Sequence, residues 1–329
     1  MTTTKNKIKK VVLAQPRGFC AGVNRAIDIV DMALDLYKPP IYVRHEIVHN
    51  HHVVQDFKDR GVIFVEKLDE VPDNAKLIFS AHGTSPTLIE KAKARGLEFI
   101  DAVCPLVTKV HVEIKKAIES SKKVIYIGHR GHQEVLGAMG YSETKIDLGE
   151  KTDDLKFDPQ QDIYLVESVE DVIKLKETIG DQEAVVATQT TLSLHDTALI
   201  IEKLKELFPQ VHLPKSEDIC YATTNRQDAV AELVKVVDYV LIIGSQNSSN
   251  TLRLLELAKN LGKEAELVPN PDDFILDQRF DNKIVGISSG ASAPEFLVDT
   301  LVSKLTDENV LVETPNVKEE KIVFPLPQI

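Results

Sequence analysis

The chain has 329 residues, is 43% hydrophobic and 27% charged, and carries a formal net charge of −12. That composition is globular, and a chain of this length folds as two or three domains rather than around one core. The negative balance argues against a nucleic-acid surface, no apolar run reaches membrane-spanning length, and only three cysteines occur. The opening "MTTTKNKIKKVVLAQP" starts basic, but its apolar stretch, Val11–Ala14, is too short for a signal-peptide core. Few cysteines and no export signal lead us to expect a reducing cytoplasm, with free thiols or metal ligands.

The elements repeat along the chain. "KKVVLAQPRGFC" is extended and feeds a helix, "AGVNRAIDIVDMALDLY", whose Val23, Ala26, Ile27, Val30, Ala33, Leu34 and Tyr37 recur at helical spacing. Two β-rich runs ending in polar loops follow, "PPIYVRHEIVHN" and "AKLIFSAHGTS". "LEFIDAVC" then feeds "PLVTKVHVEIKKAIESS", with Pro105 suited to a first helical position, and "KVIYIGHRGHQE" and "AVVATQTTLS" come after it. "SEDIC" feeds "YATTNRQDAVAELVKVV", followed by "DYVLIIGSQNSSN" and "NKIVGISSGASAP". The crossovers are supplied by helical stretches such as "SPTLIEKAKARG", "LSLHDTALIIEKLKELF" and "NTLRLLELAKNLG".

This pattern predicts an α/β protein of three pseudo-threefold-related parallel modules: residues 1–103 with Cys20, 104–218 with Cys104 and 219–308 with Cys220. Each cysteine stands between an extended segment and a helix N-terminus, where unpaired N–H groups and the helix dipole favour a thiolate. The cysteine spacing allows neither a CxxC ligand pair nor a disulfide framework.

Ligands of parallel α/β sheets bind where the carboxyl ends of the strands converge. Those ends carry His49, His82, His129, His132, Glu134, Thr190, Thr191, Ser248, Ser249, Asn250, Ser288, Ser289 and Ser292. Three modules pointing these ends at one another would gather the cysteines around a central site. Three thiolates could hold zinc with a fourth ligand, or an iron–sulfur cluster with one iron left open; the plain alternative is three small buried hydrophobes. "HEIVH" (45–49) matches the HExxH zinc-protease pattern, but Pro39-Pro40 and "IYVR" before it predict a strand and loop rather than the required helix. "GSQNSSNT" could bind an anion at a helix start or simply cap that helix. Glu134 is the one carboxylate in these loops and could donate a proton if burial raised its pKa.

Taken together, "VVLAQPRGFCAGVNRAI", "YVRHEIVHN", "FSAHG", "DAVCPLVTKVH", "GHRGHQEVLG", "TQTTLS", "DICYATTNRQDAV", "GSQNSSNT" and "GASAP" resemble the LytB family of 4-hydroxy-3-methylbut-2-enyl diphosphate reductases over nearly the whole chain. The closing "EEKIVFPLP" is similar to that family's C-terminal arm, here residues 309–329. The resemblance implies one [4Fe–4S] cluster per chain, held by Cys20, Cys104 and Cys220, whose open iron binds the substrate hydroxyl. It implies that His49, His82, His132, Thr190, Ser248, Ser249, Asn250 and Ser292 surround an allylic diphosphate. It gives the catalytic roles to Glu134, Thr190 and His132. Electrons would come singly from an external ferredoxin or flavodoxin, and the products would be isopentenyl and dimethylallyl diphosphate, the last step of the non-mevalonate isoprenoid pathway. A zinc hydrolase and a non-catalytic redox sensor are the alternatives that the residues themselves leave open.

Overall fold

The structure, a computed structural model, describes residues 8–142, 157–214, 218–315 and 319–328. In chain order the elements begin β1 (Lys10–Leu13), α1 (Ala21–Tyr37), β2 (Ile41–Arg44), α2 (His51–Asp59), β3 (Val62–Val65), β4 (Lys76–Phe79), α3 (Pro86–Ala94) and β5 (Glu98–Asp101). There follow α4 (Pro105–Glu119), β6 (Lys123–Ile127), α5 (Gln133–Met139), β7 (Ile163–Val166), α6 (Val169–Ile179), β8 (Ala184–Thr188), α7 (Leu194–Leu207) and β9 (Val211–His212). The last group is α8 (Tyr221–Leu233), β10 (Tyr239–Ile243), α9 (Ser249–Asn260), β11 (Glu264–Val268), β12 (Ile284–Ser289), α10 (Glu295–Leu305) and β13 (Leu311–Glu313).

The strands form three sheets, ordered β3-β2-β4-β5, β7-β6-β8-β9 and β11-β10-β12-β1-β13. Every neighbouring pair in them is parallel. Parallel sheets need helices on both faces, so central strands are apolar throughout and alternate residues fill two cores. In β10, Tyr239, Leu241 and Ile243 enter one core while Val240 and Ile242 enter the other. In β6, Ile125 and Ile127 are divided in the same way from Val124 and Tyr126.

The three sheets share one pattern. The fourth strand of each, β5, β9 or β1, is the one that leads toward a cysteine. Sheet membership departs from the expected segments in two places. β1 lies at the N-terminus, yet it pairs with β12 and β13 instead of joining β2 and β4. Its residues explain this: Val11 and Leu13 complete one core of that sheet, and Val12 and Ala14 complete the other, so the strand requires cover on both faces. β13, placed by sequence in the arm 309–329, pairs along the other side of β1.

The chain divides into two compact units: Met1–Asn24, His49–Gln55 and Tyr221–Val323 form the first, and Arg25–Val48, Asp56–Cys220 and Phe324–Ile329 the second. The five-stranded sheet belongs to the first unit and the two four-stranded sheets to the second.

Candidate functional site

No disulfide joins the cysteines, and each is half-buried. Their local settings are equivalent. Cys20 N–H donates to Ala291 O at 3.2 Å, Cys104 N–H to Ala81 O at 3.0 Å and Cys220 N–H to Thr190 O at 3.0 Å. In all three cases the acceptor lies two residues beyond the end of a sheet's third strand, β12, β4 or β8. The residue after each cysteine begins α1, α4 or α8. One backbone bond therefore fixes each thiol at a helix start and against a loop that bears a candidate substrate residue: Ser292, His82 or Thr190 itself.

In the first unit Gly18 turns the chain ahead of Cys20 at φ +69°, and a Cβ there would stand 3.4 Å from Ala293 O. Ala291, which accepts from Cys20, donates its own N–H to Asn250 Oδ1 at 2.8 Å. Asn250 also donates through Nδ2 to Thr223 Oγ1 at 3.3 Å. Ser292 Oγ donates to His49 O at 3.0 Å and lies 3.4 Å from Ser248 Oγ. Ser248 caps α9 and accepts from Thr251 N, so the plain capping role weighed from the sequence is present. Ser249 opens that helix, placing the Ser-Ser-Asn run where helix N–H groups favour an anion. Cys20, His49, Ser248, Ser249, Asn250 and Ser292 thus lie in one unit, joined through Ala291 and the start of α9. Ser288 and Ser289 end β12 and are wholly buried.

In the second unit the His82 ring lies edge-on to that of His132, with centroids 6.2 Å apart. His132 caps α5, its Nδ1 accepting from Glu134 N at 3.2 Å, so in the neutral ring the proton belongs on Nε2. Glu134 is only 4% exposed. Its Oε2 accepts from Thr190 N and its Oε1 from Thr190 Oγ1, both at 2.9 Å. Those donors favour the carboxylate, but burial outweighs them and raises the Glu134 pKa from 4.5 to about 7. Gln189 Oε1 accepts from His129 N and Gln189 Nε2 donates to Thr191 Oγ1, both at 3.0 Å.

"HEIVH" forms no helical ligand pair. β2 ends at Arg44, His45 takes a left-handed φ of 61° with its ring 3.0 Å from Glu66, and α2 starts only at His51. Among the described residues no group of three or more His, Cys, Asp or Glu side chains is gathered as ligands for one metal ion.

Four buried side chains inside the quoted motifs escape a reading by residue type. Gln189 braces the His129 loop, as above. Asp218 accepts from Lys109 Nζ and Thr188 N, both at 3.1 Å, tying the approach to Cys220 to α4 and β8. Arg226, one turn into α8, donates to Gly18 and Phe19 carbonyls just ahead of Cys20. His111 packs against Gly83, where a Cβ would lie 2.8 Å from its ring, and burial lowers its pKa to about 4, so it serves as a neutral spacer beside the His82 loop. Their signal in the sequence was only a polar residue at a position that the helical or strand pattern turns inward.

Comparison with known proteins matches residues 11–306 to the family model described as LytB protein. The chain belongs to the LytB family. Curated members include the 4-hydroxy-3-methylbut-2-enyl diphosphate reductases of Histophilus somni, 48% identical over 320 residues, and Haemophilus influenzae, 49% identical over 321 residues. Each alignment covers 97% of both proteins. Among solved structures, the family member from Plasmodium falciparum, an E-1-hydroxy-2-methyl-but-2-enyl-4-diphosphate reductase, superposes with a TM-score of 0.87 at 38% identity, covering 97% of this chain and 96% of that one. A second, (E)-4-hydroxy-3-methyl-but-2-enyl diphosphate reductase, the terminal enzyme of the non-mevalonate pathway, gives a TM-score of 0.62 at 27% identity over 91% of this chain and 99% of its own.

Proposed function

We propose that this LytB-family chain is a 4-hydroxy-3-methylbut-2-enyl diphosphate reductase, the activity that its relatives' names state. The reaction removes the allylic hydroxyl: two electrons and two protons enter, one water leaves, and isopentenyl or dimethylallyl diphosphate results. The observation that carries the reading is the repeated bond from each cysteine N–H to the loop of a substrate-side residue.

The donor set fits an iron–sulfur cluster. Three half-buried thiols outside any disulfide, each at a helix N-terminus, are suited to thiolate ligation, and Cys20, Cys104 and Cys220 would hold one [4Fe–4S] group. When bound, such a cluster supplies electrons singly and one iron without a protein thiolate. An external ferredoxin or flavodoxin would provide those electrons, in a cytoplasmic setting.

The protein's own residues account for the rest. In the first unit, Ser248, Ser249 and Asn250 at the start of α9, with His49 and Ser292, offer neutral donors and helix N–H groups to a diphosphate. In the second, His82 and His132 add ring N–H donors, the latter through Nε2. Neutral donors hold an anion without placing fixed lysines beside an iron–sulfur group. Glu134 holds a proton near neutral pH because it is buried, and the Thr190 hydroxyl, 2.9 Å away, can donate to its carboxylate or accept from its acid form. Hydroxide is a poor leaving group, and a proton delivered by Glu134 lets the oxygen depart as water.

The deciding experiment is iron, acid-labile sulfide and zinc content of protein purified without oxygen, alongside substrate-dependent oxidation of the reduced protein. About four iron and four sulfide per chain with turnover supports the reading. Zinc without sulfide moves the protein to hydrolytic chemistry, and a loaded cluster that substrate leaves unoxidised moves it to redox sensing.

A further inference from the structure

Two of the cysteines are preceded by a carbonyl that an arginine holds, and each of these arginines also holds the C-terminal arm. In the first unit Arg226 is wholly buried. It donates to Gly18 O through Nη2 and Nε at 2.7 and 3.1 Å, to Phe19 O at 3.3 Å and to Ala222 O at 2.9 Å. Its remaining bonds run to the Glu320 carboxylate at 3.0–3.3 Å, which also accepts from Asn225 Nδ2 at 2.9 Å. A guanidinium removed from water keeps its charge and needs an acceptor at every N–H. The three carbonyls are neutral, so Glu320 is the anion that balances it.

Glu320 lies on a segment without helix or strand, and Val323 beside it is 87% exposed. Apolar burial therefore contributes little to seating this part of the arm, and the ion pair carries more of that task. In the second unit Arg25 repeats the arrangement. Its Nε donates to Pro325 O and its Nη1 to Val103 O, both at 2.9 Å. Val103 immediately precedes Cys104, as Phe19 immediately precedes Cys20. The approach to Cys220 is tied differently, by Asp218 to Lys109 and Thr188.

We propose that the C-terminal arm is a positioning element for two of the three thiols: Glu320 acts through Arg226 on Cys20, and the Pro325 carbonyl acts through Arg25 on Cys104. The significance for cluster retention rests on the reading of the cysteines as ligands of one cluster. Seating of the arm then sets how firmly the approaches to two ligands are held, whereas the approach to the third is held by Asp218.

The test uses full-length apoprotein under argon, with limiting iodoacetamide and the alkylation rate of each cysteine resolved by mass spectrometry. Glu320→Gln should accelerate Cys20 on the order of tenfold, the cost of weakening one charge-assisted contact, and leave Cys220 unchanged. Arg25→Met should accelerate Cys104 to a similar degree, again without Cys220, and Glu320→Asp should recover part of the Cys20 protection. Unchanged rates in both variants, or equal acceleration of all three cysteines, would overturn the proposal, the latter signifying general loosening. Iron and sulfide content of the unaltered protein is measured in parallel: its absence sinks the cluster reading, while the alkylation pattern still decides the role of the arm. With the cluster loaded, Glu320→Gln should release iron to a ferrous chelator on the order of tenfold faster.

Discussion

Glu134 combines two opposing influences. Two donors from Thr190 favour its anion, and burial favours its acid, with burial prevailing. If the acid form supplies the proton, kcat should fall as pH rises through about 7, and Glu134→Gln should keep iron content and substrate affinity while losing most turnover. Turnover near that of the unaltered enzyme would remove Glu134 from the chemistry. Thr190→Val deletes the hydroxyl bond to the carboxylate but keeps the backbone N–H, so the basic limb of the pH profile should move upward by about one unit. The same carboxyl affects stability. Its pKa is raised in the folded state, so the fold binds a proton that the unfolded chain releases near 4.5, and stability declines as pH rises from there to about 7. Denaturant titrations of Glu134→Gln should lack that component. At this scale the sequence exposed residue types inside motifs but not their burial. By pattern alone "GHQE" is equally an exposed loop, and only the fold brings Thr190 beside it; Asp218 and Arg226 resemble ordinary polar residues of a helix start.

Among the elements, the six strands preceding the polar loops were legible because each is a short apolar run closed by Gly, Ser, His or Thr. β3, β7, β9, β11 and β13 were not distinguished. β9 has two residues and β11 mixes Glu with Ala, Leu and Val, so a local pattern holds too little information to separate them from connections. The pairing of β1 was illegible for a different reason: its partners are distant in the chain, Lys10 pairing with Ile284 and with Leu311, and a strand apolar on both faces declares only that it is central. Two predictions belong to this scale. Asp218→Ala strands the Thr188 N–H and takes from the Lys109 ammonium its buried carboxylate partner, and should cost about 3 kcal/mol in denaturant unfolding, with reduced iron content. Gly290→Ala would place a Cβ 2.0 Å from Thr251 Oγ1, driving the Ala291 loop away from α9. Since Ala291 serves both Cys20 and Asn250, substrate affinity and iron content should fall together, with partial recovery when Thr251→Ala is added. A loss of only one of the two would separate the roles given to that peptide.

For the whole molecule, the threefold pattern is one of placement with little residue identity. Strand order, the bond at each cysteine N–H and the helix start after it recur, while the neighbouring side chains differ: serines and asparagine by Cys20, histidine by Cys104, threonine and glutamate by Cys220. If the three thiols are interdependent, any single Cys→Ser change should sharply lower iron and sulfide together, and a variant that retains both would break that dependence.

The position of β1 also orders the events of biosynthesis. The sheets of β2–β5 and β6–β9 are built from consecutive segments, so each can close as its stretch of chain emerges, whereas β1 must wait for β12 and β13. Ala291, Arg226 and Glu320, the residues that hold the Cys20 loop, all lie in the last third of the chain. The first cysteine to leave the ribosome thus waits for the last third of the chain to acquire its surroundings. Until then it is a bare thiol downstream of an unpaired strand, and any metal group that it helps to hold would be loaded only after those segments have emerged.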